Sequence, residues 1–242
     1  MKRAVIFSGA GLSADSGIQT FRDPNGLWEQ HEVKDVAHHE AWWKNKELVL
    51  SFYEMLYRKY EHCQPHEGHH ALARLQEKYE VIHVTQNADR LLEKAGCANV
   101  QHLHGTLDRK KCERHQSVFS NSRRFRCDYI CDTDGPVVLG DLCPKCGSQM
   151  RPDLVWFGED VHLDFGQIQE LRHDVQLGDG IFICVGTSAQ VQPAASLISL
   201  FAQVKNKFIV DIKPLEMADF EVFKGSAREQ LPILVDRILE GE

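Results

Sequence analysis

The chain has 242 residues, of which 43% are hydrophobic and 26% are charged, and its formal net charge at pH 7 is −7. This length is enough for one sizeable core with a small inserted module. The acidic balance argues against a nucleic-acid partner, and no apolar run is long enough to span a membrane. The N-terminal apolar run Ala4–Phe7 is too short for a signal peptide, so we expect a cytoplasmic protein.

Strand and helix patterns alternate along most of the chain. Short, mostly apolar runs predict buried strands at Ala4–Phe7, Glu80–Thr85, Val100–Leu103, Gly180–Val185 and Lys207–Ile212. Apolar residues at helical spacing predict helices at 46–62, Gly68–Lys78, Arg90–Ala95, Pro193–Val204 and Ser226–Leu239. This alternation predicts an α/β fold, in which helices cover both faces of a parallel sheet.

The stretch 109–150 has a different composition from the rest of the chain. Five of the eight cysteines lie between residues 112 and 146, and no long periodic segment is present there. In a cytoplasmic protein of this size, clustered cysteines bind a metal more often than they form disulfides. We therefore predict a main domain from 1–108 and 151–242 and a metal-binding module at 109–150. Part of 24–70 is predicted to form a helical insert of the small domain.

A glycine-rich turn follows the first predicted strand. Gly9-Ala10-Gly11 with Ala14 fits G-x-G-x-x-A, a turn that brings a backbone and a helix N-terminus close to a dinucleotide pyrophosphate. Taken alone, the motif fits an ordinary tight turn about equally well. Its position directly after a strand favours phosphate binding by the N–H groups of Gly9 to Gly11. The hydroxyls of Thr187 and Ser188 also suit phosphate oxygens.

Residues 9–22 match GAGxSxxSGIxxFR, the signature of the sirtuin family of NAD-dependent lysine deacylases, at every fixed position. Four further segments resemble family blocks in the same order: Thr85–Asp89 (TQNID with one change), His102–Gly105, Val155–Glu159 (VxFGE) and Gly186–Ala195 (GTSxxVxPAA). The resemblance covers essentially the whole chain. It implies a Rossmann-like parallel sheet with helices on both faces and a small inserted zinc-binding module.

The resemblance also implies which residues bind NAD. Asp89 would hold the nicotinamide carboxamide, Asn87 would orient ribose or water, and Arg22 would lie over the pyrophosphate. Asp211 departs from the family, which typically has asparagine there, but a carboxylate suits two ribose hydroxyls and would repel the extra phosphate of NADP. The full predicted set is Gly9, Ala10, Gly11, Ser13, Gly17, Phe21, Arg22, Trp28, Gln86, Asn87, Asp89, Gly186, Thr187, Ser188, Asp211 and Ala227.

The predicted catalytic residues are His104, Asn87 and Asp89. Histidine titrates near neutral pH and can accept a proton from a ribose hydroxyl. In the family, the acyl group passes to ADP-ribose as nicotinamide leaves, and free lysine is released. Ala88 stands where the family usually has isoleucine, so we expect a looser nicotinamide pocket and weaker inhibition by nicotinamide.

The implied partners are proteins or peptides that carry acyl-lysine, bound partly by strand pairing with Val155–Glu159. The segment that contains Tyr53 resembles a bacterial branch that removes succinyl groups through Tyr-x-x-Arg, but Leu56 replaces that arginine. Arg58 would lie on another helix face. We therefore predict deacetylation over desuccinylation. The predicted substrate-binding residues are Tyr53, Val155, Trp156, Phe157, Gly158 and Glu159.

Cys143-Pro144-Lys145-Cys146 is a zinc-knuckle pattern. Its partner pair stays open at this stage. Cys112 and His115 would complete a site with one histidine, whereas Cys127 and Cys131 have spacing that is also suitable. Four protein ligands would leave no open position on the metal, so its role would be structural.

Two other functions compete with lysine deacylation. An ADP-ribosyltransferase or NAD hydrolase would cleave NAD but use another acceptor. A non-catalytic NAD sensor would be expected to lose catalytic residues, whereas Asn87, Asp89 and His104 are all present. His104 favours the deacylase, because that reaction needs a base after nicotinamide leaves. The sequence predicts no particular oligomeric state.

Overall fold

The computed structural model describes residues 1–19, 32–115, 126–161, 164–189 and 194–241. Within them the chain forms strands β1 (Lys2–Ser8), β2 (Tyr79–Thr85), β3 (Val100–His102), β4 (Gly105–Cys112), β5 (Ile130–Asp132), β6 (Met150–Leu154), β7 (Ile181–Val185), β8 (Asn206–Asp211) and β9 (Glu221–Lys224). The α-helices are α1 (Val33–Val36), α2 (His39–Lys44), α3 (Lys46–Tyr60), α4 (Glu67–Arg74), α5 (Leu91–Lys94), α6 (Phe165–Leu177), α7 (Ala194–Leu200) and α8 (Ala227–Glu240).

The chain divides into two compact units. The first contains Met1–Thr20, Cys63–Leu103 and Leu163–Glu242, and the second contains Phe21–His62 and His104–His162. The second unit is wider than the predicted module at 109–150, because β4 begins before residue 109 and pairs with β6, which ends after residue 150. None of the helices among the described residues is long and apolar enough to cross a membrane.

A six-stranded sheet in the order β3-β2-β1-β7-β8-β9 forms the centre of the first unit. Every neighbouring pair in this sheet is parallel. The central strands are apolar along their length because helices cover both of their faces. The predicted α/β fold with a parallel sheet is confirmed.

Alternate residues of β1 enter two separate cores. Ala4 and Ile6 pack in one cluster with residues of α4 and α8, whereas Val5 and Phe7 pack in another with residues of α6 and α7. This alternation follows from the two-residue period of a strand. The sheet is therefore a middle layer between two helical layers.

Local signals fix the ends of the helices. Asn45 caps α3, because its Oδ1 accepts the N–H of Leu48 at 3.0 Å. Ser226 caps α8 in the same way through the N–H of Glu229, and Gly241 ends that helix in the left-handed conformation. The helices predicted to end at Lys78 and Val204 instead finish as 3-10 turns at Leu75–Glu77 and Phe201–Gln203.

An antiparallel sheet in the order β5-β4-β6 belongs to the second unit. Its strands contain charged side chains that are buried with partners. Lys111 is fully buried with its Nζ 3.5 Å from Asp153 Oδ1, and burial lowers the pKa of Lys111 to about 8. Arg151 is buried and forms a two-point ion pair with Glu159.

Candidate functional site

Three loops meet at the carboxyl edge of the parallel sheet in the first unit. They follow β1, β2 and β7, and β1 lies between the other two strands. The chain crosses to opposite sides of β1 to form β2 and β7, so the strand order reverses there. In open α/β sheets, ligands bind outside the carboxyl ends of strands at such a switch point.

The glycine turn after β1 packs directly against the loop after β7. The N–H of Gly9 donates to Val185 O at 3.0 Å, and that of Gly11 donates to Gly186 O at 2.8 Å. A Cβ on Gly11 would lie 2.7 Å from Gly186 Cα, so only glycine fits here.

Two expectations about this turn need correction. Two 3-10 turns, Ala10–Leu12 and Ala14–Ser16, follow β1 in place of a helix N-terminus, and Gly17 ends the second with a φ of 91°. Of the predicted phosphate donors from Gly9 to Gly11, the N–H groups of Gly9 and Gly11 already donate to backbone carbonyls, so these two are not available to a phosphate. These glycines allow two loops to approach each other closely.

Ser13 links two of the predicted catalytic residues. The Asn87 amide Nδ2 donates to Ser13 Oγ at 3.1 Å, and the Ser13 hydroxyl also acts to lower the pKa of the Asp89 carboxylate. Burial raises the pKa of Asp89 above its ordinary value of 3.8, while hydrogen bonds from Leu91 N–H and Ser13 oppose that rise. The turn thus presents an amide and a carboxylate that share one fixed hydroxyl.

The same edge holds the other predicted polar groups of the first unit. The Thr187 hydroxyl donates to Gln86 Oε1 at 2.9 Å, whereas Ser188 is exposed. Asp211 ends β8, accepts the N–H of Lys213 at 2.8 Å, and has a pKa raised by burial. Ala227 is buried in the core, and its carbonyl lies against Gly68, so its side chain is not at the surface.

Three predicted cofactor-binding residues, Phe21, Arg22 and Trp28, lie outside the described residues.

His104 belongs to the second unit and directly precedes β4. Its carbonyl accepts the N–H of Val155 at 2.9 Å, and its side chain is partly exposed. The next residue, Gly105, has a φ of 76°, and a Cβ there would overlap the carbonyl of Asp153. Glycine at position 105 is therefore required by the close pairing of β4 with β6.

Residues 155–159 do not continue strand β6, which corrects the expectation of a strand. The N–H groups of Val155, Phe157 and Glu159 donate to His104 O, Ala37 O and Trp156 O. Trp156 is 2% exposed and packs on Tyr53, Trp42 and the Arg151 guanidinium. Both Trp156 and the buried Glu159 carboxylate stabilise the unit, whereas Phe157 is 43% exposed.

The second unit also contains the helix that the acyl-group prediction depends on. Tyr53 and Leu56 are buried on one face of α3, and burial raises the pKa of Tyr53. Arg58 is exposed and pairs with Glu54 and Glu61. The expectation that Arg58 lies on another helix face is confirmed.

Four thiols come together in the second unit. They belong to Cys112, Cys127, Cys143 and Cys146, and their sulfur atoms all lie within 4.8 Å of one another. Two sulfur pairs are 3.5 and 3.7 Å apart. A tetrahedral zinc with Zn–S bonds of about 2.3 Å separates its sulfurs by about 3.8 Å.

The cysteine cluster fits structural zinc, as predicted, but with Cys127 as the fourth ligand. His115 and Cys131 are described and lie outside this cluster, so neither predicted pair is right as a whole: Cys112 comes from the first pair and Cys127 from the second. The N–H of Arg114 points at Cys112 Sγ at 3.4 Å, a contact that favours a thiolate.

Sequence reasoning assigned no role to three polar residues near the carboxyl edge, His66, Glu93 and His102. His66 Nε2 is 2.7 Å from Leu12 O, while its Nδ1 accepts the N–H of Gly68, so His66 supports the glycine turn. His102 lies between Asn87 O and the Glu93 carboxylate. No spacing rule marks such residues, because their partners come from other elements.

Comparisons of this chain with known proteins agree with the fold and the site described above. Residues 9–193 match the Sir2 family. An NAD-dependent protein deacylase of Helicobacter pylori (strain ATCC 700392 / 26695) is 44% identical over 197 residues, which cover 81% of this chain and 79% of that protein. A protein of the same name from Bdellovibrio bacteriovorus is 36% identical over 247 residues, covering 99% and 97%.

Solved structures lead to the same family. A Sir2 homologue in complex with NAD has a TM-score of 0.82 at 33% identity, and the match covers 99% of this chain and 90% of that chain. A Sir2 protein with a deacetylated p53 peptide and acetyl ADP-ribose has a TM-score of 0.75 at 26% identity, covering 98% and 92%. The chain belongs to the Sir2, or sirtuin, family.

Proposed function

We propose that this protein is an NAD-dependent protein-lysine deacylase that produces nicotinamide, O-acyl-ADP-ribose and free lysine. Its family and its curated relatives of that name support the proposal. The observation that carries it is the Ser13, Asn87 and Asp89 network at the switch point of the parallel sheet. A deacylase of this class uses NAD as co-substrate and structural zinc to hold its cysteine module.

The carboxyl edge of the first unit would bind NAD. We assign the nicotinamide carboxamide to Asp89, the orientation of ribose or water to Asn87, and a contact with the ribose to Gln86. The half-buried Asp211 carboxylate suits the hydroxyls of the adenosine ribose. It also disfavours NADP, because two negative groups would meet in a partly desolvated place.

His104 is the proposed base. When bound, NAD supplies the ribose carbon that takes the acyl oxygen as nicotinamide leaves. The imidazole of His104 would then accept a proton from a ribose hydroxyl, which makes that oxygen a nucleophile. Its partly exposed side chain is compatible with this role.

Acyl-lysine peptides are the proposed substrates, and the Sir2 structure with a deacetylated p53 peptide supports that class. Within Val155–Glu159, the exposed Phe157 is the side chain expected to contact them. Acetyl groups are the proposed preference, because the buried Leu56 offers no charge to a distal carboxylate. The cytoplasmic location stays a prediction.

The test is nicotinamide release from NAD, measured with and without an acetyl-lysine peptide. We expect release that depends on the peptide and equals the acetyl groups lost. His104→Ala should reduce the rate at least about a hundredfold, whereas His62→Ala, at an exposed position, should match the wild type. Release without peptide would indicate a hydrolase or transferase, and NAD binding without release would indicate a sensor.

A further inference from the structure

His102 lies between two hydrogen-bond acceptors. Its Nδ1 is 2.7 Å from the carbonyl oxygen of Asn87, and its Nε2 is 3.0 Å from Glu93 Oε1. A backbone carbonyl has no proton to give, and neither has an ionised carboxylate. Both ring nitrogens must therefore donate, which only the imidazolium form of histidine can do.

Strand pairing and a short helix create this arrangement. His102 ends β3 opposite Thr85 of β2, so its ring lies beside the turn that follows β2. Asp89 Oδ1 accepts the N–H of Leu91, which starts α5, and Glu93 is on that helix. His102 therefore connects the turn to the helix that follows it.

The charged surroundings favour the imidazolium. Burial acts to lower the pKa of His102, but the hydrogen bonds to Glu93 and Asn87 and the nearby Asp89 outweigh it, so the pKa is raised. For Glu93, burial acts to raise the pKa, but His102 and Arg90 outweigh it. Arg90 Nε also holds Glu93 Oε1 at 3.2 Å.

Two other titratable groups face Glu93 from neighbouring elements: His83 on β2 and Cys97 after α5. Burial lowers the pKa of His83 to about 4 and raises that of Cys97 to about 12. Both groups are therefore neutral near pH 7, and neither neutralises Glu93.

We propose that Glu93 and His102 form a positioning pair, in which the imidazolium ties the backbone of Asn87 to α5 and so orients Asn87 and Asp89 toward the nicotinamide end of NAD. The orientation rests on the proposed function, whereas the ion pair does not. When His102 loses a proton, one ring nitrogen presents a lone pair to an acceptor, and that link breaks. The pair thus makes the use of NAD sensitive to alkaline pH.

The first test compares Glu93→Gln with the wild type, by kcat/KM for NAD from pH 6 to pH 9 at saturating acetyl peptide. Glutamine keeps the shape and one acceptor but removes the charge that holds the second proton on His102. The ratio of wild-type to variant kcat/KM should grow about tenfold across this range. A ratio that stays constant or falls with pH would overturn the proposal.

Two further variants separate charge from structure. Glu93→Asp keeps the charge and should show a weaker pH trend than Glu93→Gln. The matched control is Glu80→Gln near the start of β2, where an exposed pair with Arg3 is lost at the opposite end of the strand from the turn. Its ratio to the wild type should not change with pH.

A second readout does not depend on catalysis. Titration of the His102 ring by nitrogen-15 NMR should give a midpoint that is lower in Glu93→Gln than in the wild type. An unchanged midpoint would overturn the pair. If the wild-type protein releases no nicotinamide, the proposed function fails, and the NMR midpoints still decide whether Glu93 holds His102 as an imidazolium.

Discussion

Gly186 is the residue at which the loop after β7 meets the glycine turn after β1. Its φ is 62°, and a Cβ would overlap the backbone nitrogen of Leu12. Its own N–H donates to Val210 O, while its carbonyl accepts the N–H of Gly11. Because backbone lies on every side, no flexible side chain can move to make room for a methyl group.

We therefore expect Gly186→Ala to lower the free energy of unfolding by at least about 2 kcal/mol more than Gly96→Ala. Gly96 is the matched control, because its φ is 95° but nothing lies within 4 Å of a Cβ there. Both variants include the cost of a left-handed alanine, and only one includes the clash. Denaturant melts measure the difference, and equal losses would contradict the steric argument.

Leu56 determines the expected acyl preference. The wild type should turn over acetyl peptides faster than succinyl peptides. Leu56→Arg, three residues after Tyr53 on the buried face of α3, should raise the succinyl-to-acetyl ratio of kcat/KM about tenfold through a charge-assisted bond. Arg58→Gln on the exposed face should leave this ratio unchanged. Succinyl turnover by the wild type that equals acetyl turnover would refute the preference.

At the scale of elements, apolar strands were predictable and charged strands were not. The runs at β1, β2, β7 and β8 are buried on both faces and were predicted within two residues at each end. β4 and β6 carry Lys111 and Arg151, which look like solvent-facing residues in a sequence. Their charges are buried with Asp153 and Glu159, and those partners are fixed only by the fold.

The zinc module shows the same limit for a site. The Cys143–Cys146 pair could be predicted because its spacing alone makes two ligands adjacent. The choice among Cys112, Cys127, Cys131 and His115 depends on how a longer chain segment folds back, and spacing does not report that. The Asn87 and Asp89 turn was predictable as a motif, whereas Glu93 and His102 were not.

The cysteine cluster predicts which variants lose zinc. Cys127→Ser should reduce bound zinc to a small fraction of one per chain, whereas His115→Ala should keep it, because Cys127 belongs to the cluster of four thiols and His115 does not. Elemental analysis of purified protein measures the metal. A strong chelator should lower the melting temperature of the wild type. Zinc lost from His115→Ala and kept by Cys127→Ser would restore the histidine-containing site.

For the whole molecule, buried histidines make the free energy of unfolding fall as the pH is lowered. Burial lowers the pKa of His83 to about 4 and that of His69 to about 3, from 6.5. Below pH 6.5 the unfolded chain binds protons that the folded chain refuses, so stability falls as the pH falls toward these values. His102 has the opposite sign: its contribution is complete below 6.5 and is lost as pH rises through its raised pKa.

His83→Leu tests this dependence. Neither ring nitrogen of His83 has a hydrogen-bond partner among the described residues, so leucine removes a polar burial cost as well as a titrating group. Between pH 7.5 and pH 5, the variant should lose about 2 kcal/mol less stability than the wild type. His62→Gln is the control, because this side chain is exposed. Parallel pH curves for His83→Leu and the wild type would disprove the assignment.

The sheet order has a consequence for the chain as it is being made. β1 leaves the ribosome before the other described strands, yet one of its two neighbours is β7, and Ala4 pairs with Ile181. All segments of the second unit are synthesised before β7. The second unit can thus become compact early, while the apolar β1 keeps an unpaired edge. Such an edge is a target for chaperones and a cause of aggregation. Growth temperature and translation speed should therefore change the yield of folded protein more than the stability of the mature protein alone would indicate.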